Sequence, residues 1–193
     1  SMEQPFRIAG TDVQVGASVG IALTPQDSRD PADLVNFADL AMYSAKKRGR
    51  GCFAFFDSTL REAALTRVNI ERELRDAAAA REFILHFQPK MKSDGLTLSG
   101  VEALVRWRHP VRGLVMPGDF IAIAEQSGLI EDVGDQVIEL AMSQAERWHR
   151  SGSSHRIAFN VSQLQFGRLD FAERCVASAR LAGVPADCLE IEL

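Results

Sequence analysis

Two strand-like runs near the middle of the chain, Phe83–Gln88 and Leu96–Trp107, are separated only by residues 89–95. A parallel crossover needs a connection of roughly ten to twelve residues or more, so these two runs must pair antiparallel. Downstream, strand patterns at Arg156–Val161 and Cys188–Leu193 are spaced by helical stretches near Pro117–Glu125, Ile130–Arg150 and Phe171–Ala182. Strands alternating with helices predict an α/β layout with parallel pairing. A hairpin leading into a parallel sheet is therefore the strongest constraint on the fold. A complete eightfold β/α barrel needs about 200 residues or more, and this chain, with other elements to hold as well, has 193.

Those other elements occupy the first third. Residues 13–23, VQVGASVGIAL, alternate and carry Val and Ile, which predicts a strand. Asp30-Pro31 supplies an N-cap and a first-turn proline, and Leu34, Phe37, Ala38, Ala41, Met42 and Ala45 recur at helical spacing up to Gly49. Cys52–Phe56 reads as a second strand. Thr59 to about Arg81 contains no Gly or Pro and opens with Thr59-x-x-Glu62, a capping-box pattern, so it predicts one long helix or two with a slight break. The expected organisation is a first unit over 1–57, a linker helix over 58–65 and a second unit over 66–193.

Charge and composition narrow the chemistry. A formal net charge of −4 leaves no broad basic surface for DNA, and the Lys-Lys-Arg-Gly-Arg run at 46–50 reads as a helix end. Three cysteines without a CxxC pair suit reduced thiols and a cytoplasmic setting. No apolar run approaches the ~18 residues of a membrane span. The four histidines lack metal-ligand spacing, and no P-loop or GxSxG elbow is present.

Polar residues stand instead at the strands' C-terminal ends. Period two places Glu102, Leu104 and Arg106 on one face of their strand, opposite Val101, Ala103, Val105 and Trp107. Asn160 shares a face with Ala158, and Glu190 with Glu192. Strands of a covered parallel sheet are normally apolar on both sides. Carboxylates and an amide at that rim, where α/β folds bind ligands, are site candidates; water-exposed rim residues are the plainer reading. Oxygen-only donors favour Mg²⁺, Mn²⁺ or Ca²⁺ over zinc, and an adjacent arginine suits phosphate-ester chemistry.

The run Glu102-Ala103-Leu104-Val105-Arg106-Trp107 resembles the signature of the EAL family of cyclic-di-GMP phosphodiesterases. Phe87-Gln88-Pro89, Pro117-Gly118-Asp119-Phe120-Ile121, Ala124-Glu125-Gln126-Ser127-Gly128-Leu129, Asn160-Val161-Ser162 and Leu189-Glu190-Ile191-Glu192-Leu193 resemble it too. The likeness runs from about residue 66 to 193 and implies part of an EAL-type (β/α) barrel whose first strand is antiparallel. It implies Glu102, Asn160 and Glu192 as ligands of Mg²⁺ or Mn²⁺, with Glu102 catalytic. It further implies Gln88 and Arg106 as contacts to cyclic-di-GMP, and Glu190 as structural. Ser18-Val19-Gly20-Ile21-Ala22 and Ala38-Asp39-Leu40-Ala41-Met42-Tyr43-Ser44-Ala45-Lys46 resemble the closing strand and helix of a GGDEF, diguanylate cyclase, domain. Lys46 and Arg50 match triphosphate-contacting positions there, although two cations at a helix C-terminus also serve as plain dipole complements.

The resemblance thus implies a tandem GGDEF–EAL signalling protein that hydrolyses cyclic-di-GMP to linear pGpG. It also implies that the paired aspartates, lysine and later glutamate of the EAL family would follow residue 193, that the 193 residues alone are inactive, and that the parent could be membrane-tethered elsewhere. The alternative is an EAL module that senses cyclic-di-GMP without hydrolysing it. An open strand edge at Leu189–Leu193 predicts pairing with a second chain, such as a homodimer, or poor solubility. Bringing Gln88 opposite Glu102 is expected to need a three-residue hairpin connection with Gly95 at positive φ.

Overall fold

The computed structural model describes residues 6–153 and 155–193, and the chain divides into two compact units, residues 1–69 and 70–193. In the first unit, β1 (Phe6–Ile8) and β2 (Thr11–Val13) form an antiparallel hairpin, while β3 (Val19–Ile21) pairs in parallel with β4 (Phe53–Phe55). The run expected as one strand over 13–23 is divided between two sheets, because Val13 finds its partner in Phe6 and Val19 in Phe53. Helix α1 (Pro31–Lys47) is the crossover between β3 and β4, and Asp30 caps it as expected, accepting from the Ala32 amide at 2.7 Å. The Phe37 ring lies flat on Phe56 with centroids 4.2 Å apart. Gly20 is required by proximity: a Cβ there would stand 1.8 Å from the Ala38 carbonyl oxygen and 2.2 Å from the Met42 nitrogen.

Helix α2 (Ser58–Ala80) is unbroken. It does not start at a Thr59–Glu62 capping box. The Asp57 carboxylate accepts from the Thr59 amide at 2.8 Å and starts the helix one residue earlier, so Thr59 already lies inside it. Its last turns bury Ile70, Leu74 and Ala77 in the core of the second unit.

That unit continues with β5 (Phe83–Met91), β6 (Leu98–His109), β7 (Gly113–Val115), α3 (Pro117–Ser127) and α4 (Ile130–Arg150). It ends with β8 (Arg156–Asn160), α5 (Gln163–Phe166), α6 (Phe171–Leu181), a 3₁₀ turn at Ala186–Cys188 and β9 (Leu189–Glu192). Strand order is β5-β6-β8-β9, with the first pair antiparallel and the next two parallel. The antiparallel hairpin opening a parallel sheet is therefore present. β7, not foreseen in the sequence, folds back antiparallel on the end of β6. The turn before it is organised by buried His109, whose Nδ1 accepts from the Val111 and Arg112 amides at 3.0 and 3.1 Å.

One face of β6 makes the core. Val101, Ala103 and Trp107 are buried, and Phe83, Trp107 and Phe120 cluster with ring centroids 5.8–6.2 Å apart. Glu102, Leu104 and Arg106 stay half-buried on the other face. The hairpin connection differs from the three residues expected. Lys92 and Thr97 still bond across the turn, leaving four residues between them, and a bulge at Lys90/Met91 absorbs the extra length. Asp94 explains the longer turn, since its carboxylate accepts from the Leu96 and Thr97 amides and from the Thr97 hydroxyl. Gly95 takes φ +67°, the positive value expected.

Candidate active site

Register brings the polar rim residues together. Gln88 pairs with Glu102, Glu102 with Ala158 and Ala158 with Glu190, so these four form one row across four strands. Asn160 pairs with Glu192 two residues further along. Directly paired residues project to the same face, which puts Gln88, Glu102, Asn160, Glu190 and Glu192 on the side of the sheet away from the aromatic core. Gln88 and Asn160 are exposed, whereas Glu102, Glu190 and Glu192 are half-buried.

Asn160 Nδ2 donates to Glu102 Oε1 at 2.8 Å. With the amide nitrogen committed, Asn160 Oδ1 is left as an acceptor beside Glu102 and in register with Glu192. Oxygen donors from two carboxylates and one amide are what a hard cation takes, so the residues fit Mg²⁺ or Mn²⁺ in kind. No group of three or more His, Cys, Asp or Glu among the described residues is arranged to hold a metal ion; the set here counts Asn160 with two acids. Arg106 lies four residues beyond Glu102 on the same face, and its Nη1 donates to the Val105 carbonyl at 2.8 Å. Among the described residues it has no carboxylate partner, which leaves most of its guanidinium available to an anion.

A cavity of about 260 Å³ adjoins this rim. Leu104 and Asn160 line it from the strand ends, with Ile121, Glu125, Val133 and Gln165 from the helices. The loop after Asn160 is held by a feature absent from the sequence reading. Ser162 Oγ accepts from the Gln165 amide at 3.2 Å, and Gln165 Oε1 accepts from the Ser162 amide at 3.2 Å. Ser162-x-x-Gln165 is itself a capping-box pattern and could have been found that way.

Lys90 was also missed. Its Nζ donates to Glu192 Oε1 at 2.5 Å and to Glu190 Oε1 at 2.9 Å. These two bonds, Glu192's the stronger, push the ammonium up to about 12. The signal was present in the alternation, because Lys90 stands two residues after Gln88 and so shares its face. Lys46 and Arg50 lie elsewhere, exposed at the C-terminal end of α1 in the first unit.

No helix of the described residues is long and apolar enough to cross a membrane. Residues 71–193 match the EAL domain family, and residues 1–52 match the diguanylate cyclase GGDEF domain. A bifunctional diguanylate cyclase/cyclic di-GMP phosphodiesterase of Pseudomonas aeruginosa, MucR, is 40% identical over 86% of this chain and 24% of its own length. The Escherichia coli cyclic di-GMP phosphodiesterase PdeR is 40% identical over 83% of the chain and 24% of its own length. This chain thus spans about a quarter of these relatives. Among solved structures, the PaMucR phosphodiesterase in complex with c-di-GMP superimposes with a TM-score of 0.62 at 34% identity, over 65% of this chain and 51% of that one. An antiparallel first strand, the rim of acids and amide that follows it, and these matches agree that the chain belongs to the EAL domain family, with a GGDEF segment ahead of the EAL residues.

Proposed function

We propose that the EAL residues serve cyclic-di-GMP signalling by contributing to the active site of a divalent-metal-dependent phosphodiesterase that opens cyclic-di-GMP to linear pGpG. The observation that carries this reading is the Glu102–Asn160 hydrogen bond in register with Glu192, on a strand face that also carries, four residues beyond Glu102, an arginine without a carboxylate partner among the described residues. Glu102, Asn160 and Glu192 would hold Mg²⁺ or Mn²⁺, whose contribution when bound is Lewis acidity toward a phosphoryl oxygen. Asn160 orients Glu102 through Nδ2. Arg106 binds a phosphate of the dinucleotide and neutralises charge that develops on it, and Gln88, exposed in the same row, hydrogen-bonds the nucleotide.

Three oxygen donors are about half the shell of a six-coordinate cation. The 193 residues are therefore expected to bind cyclic-di-GMP with Mn²⁺ without turning it over. Lys90 on Glu192 favours a second reading, a module that binds the dinucleotide as a sensor. We place the domain limits at 1–57, 58–65 and 66–193, and the protein in the cytoplasm, in keeping with its three free thiols. Lys46 and Arg50 are proposed as nucleotide contacts in the GGDEF unit.

Cyclic-di-GMP titration with Mn²⁺ tests the site. Arg106→Ala should weaken binding at least tenfold with the fold intact by circular dichroism. Unchanged binding would remove Arg106 from the site, and measurable hydrolysis by the 193 residues would contradict the incomplete shell.

A further inference from the structure

Lys90 lies on β5 and its two acceptors on β9, at opposite ends of the four-strand path. Three interstrand spacings of about 4.8 Å make some 14 Å of flat sheet, and Glu190 and Glu192 stand a further one and two same-face rows along the strands from Lys90. Two of the positions between Lys90 and its acceptors are small: Lys90 pairs with Gly100 on β6, and the next row, Gln88–Glu102–Ala158–Glu190, has Ala158 on β8. Arg156 follows Gly100 in Lys90's own row. A Cβ on Gly100 would also stand 2.8 Å from the Arg156 carbonyl oxygen, so that position holds no larger residue without rearrangement.

We propose that Lys90 is the resident cation of this rim: a positioning residue that holds Glu192 and Glu190 together and competes with the divalent ion for Glu192. The inference rests on the cation site of the preceding section. Two glutamates two residues apart on one strand face would repel each other, and a single ammonium within 2.9 Å of both offsets that repulsion. The same ammonium occupies Oε1, one of the two carboxylate oxygens of Glu192, and places a positive charge beside any cation that binds Glu192 with Glu102 and Asn160. Divalent binding therefore proceeds by exchange, with Lys90 released from Glu192 and retained by Glu190, so both acids stay compensated while the ion is bound. Glu190, expected from the resemblance to be structural, is in this account the acceptor that keeps Lys90 nearby.

The test is Mn²⁺ binding by electron paramagnetic resonance of the free ion, without nucleotide or turnover. Removing a unit charge about 5 Å from a divalent ion is worth roughly tenfold in affinity or more even at high dielectric. Lys90→Met should therefore bind Mn²⁺ about tenfold more tightly than the parent, and Lys90→Arg should stay near it. Equal or weaker binding by Lys90→Met would overturn the proposal. Should that variant not fold, ¹⁵N-lysine spectra of the unaltered chain give the same answer. One of only four lysines, Lys90, should shift its Nζ resonance as Mg²⁺ is added, and Lys46, Lys47 and Lys92 should not. A motionless Lys90 signal at saturating Mg²⁺ would overturn it equally. Glu102→Gln separates the two claims: if it leaves Mn²⁺ affinity unchanged, the cation site itself is wrong, whereas a loss with Lys90→Met neutral rejects the exchange alone.

Discussion

Gly134 in α4 carries a prediction whose sign depends on one neighbour. A Cβ built on it would stand 1.6 Å from Gln165 Nε2 and 2.6 Å from Gln165 Cδ. Gln165 is only 5% exposed and accepts from the Ser162 amide and hydroxyl, closing the capping box two residues after Asn160. Gly134→Ala gains about 1 kcal/mol of helix propensity. It also displaces the Gln165 side chain, at about 1–3 kcal/mol for the Ser162 amide and hydroxyl left without their acceptor. The net should be a destabilisation of about 1 kcal/mol. In a Gln165→Ala background the obstruction is gone, so the same substitution should stabilise by about 0.5–1 kcal/mol. Urea unfolding followed by tryptophan fluorescence suits the measurement, because both tryptophans, Trp107 and Trp148, lie in the second unit. If Gly134→Ala has the same effect in both backgrounds, the contact does not hold the loop after Asn160.

Gly20→Ala should destabilise the first unit by more than about 2 kcal/mol, since its Cβ meets backbone atoms of Ala38 and Met42 that cannot rotate away; faster hydrogen exchange in α1 would report it. The Asp94 carboxyl is held below its ordinary value by the Thr97 hydroxyl first, then by the Thr97 and Leu96 amides. A lowered folded value means stabilisation that is complete above the ordinary 3.8 and lost as pH falls through the lower one. Asp94→Asn should therefore be less stable than the parent at neutral pH, with the gap closing below about pH 3.8 in urea unfolding.

Much of this was legible in the sequence because it depended on periodicity and connection length. The alternation in Val101–Trp107 separated the buried face from the polar one, and the short 89–95 connection fixed the antiparallel start. Local boundaries were less legible where two equivalent signals competed. Asp57 displaced Thr59 as the start of α2, and Asp94 enlarged the hairpin turn by satisfying three donors. Lys90 escaped because a lysine near a turn reads as solvated. Its role depends on residues of β9 about a hundred positions away, which no local pattern connects.

The central claim is that Glu102, Asn160 and Glu192 form one cation site, and Mn²⁺ line broadening in amide spectra tests it most directly. At low Mn²⁺ the Asn160 side-chain amide and the backbone amides of Glu102 and Glu192 should broaden first, and Asn160→Ala should abolish the effect at the other two. Broadening centred on other acids, with these three signals intact, would contradict the account.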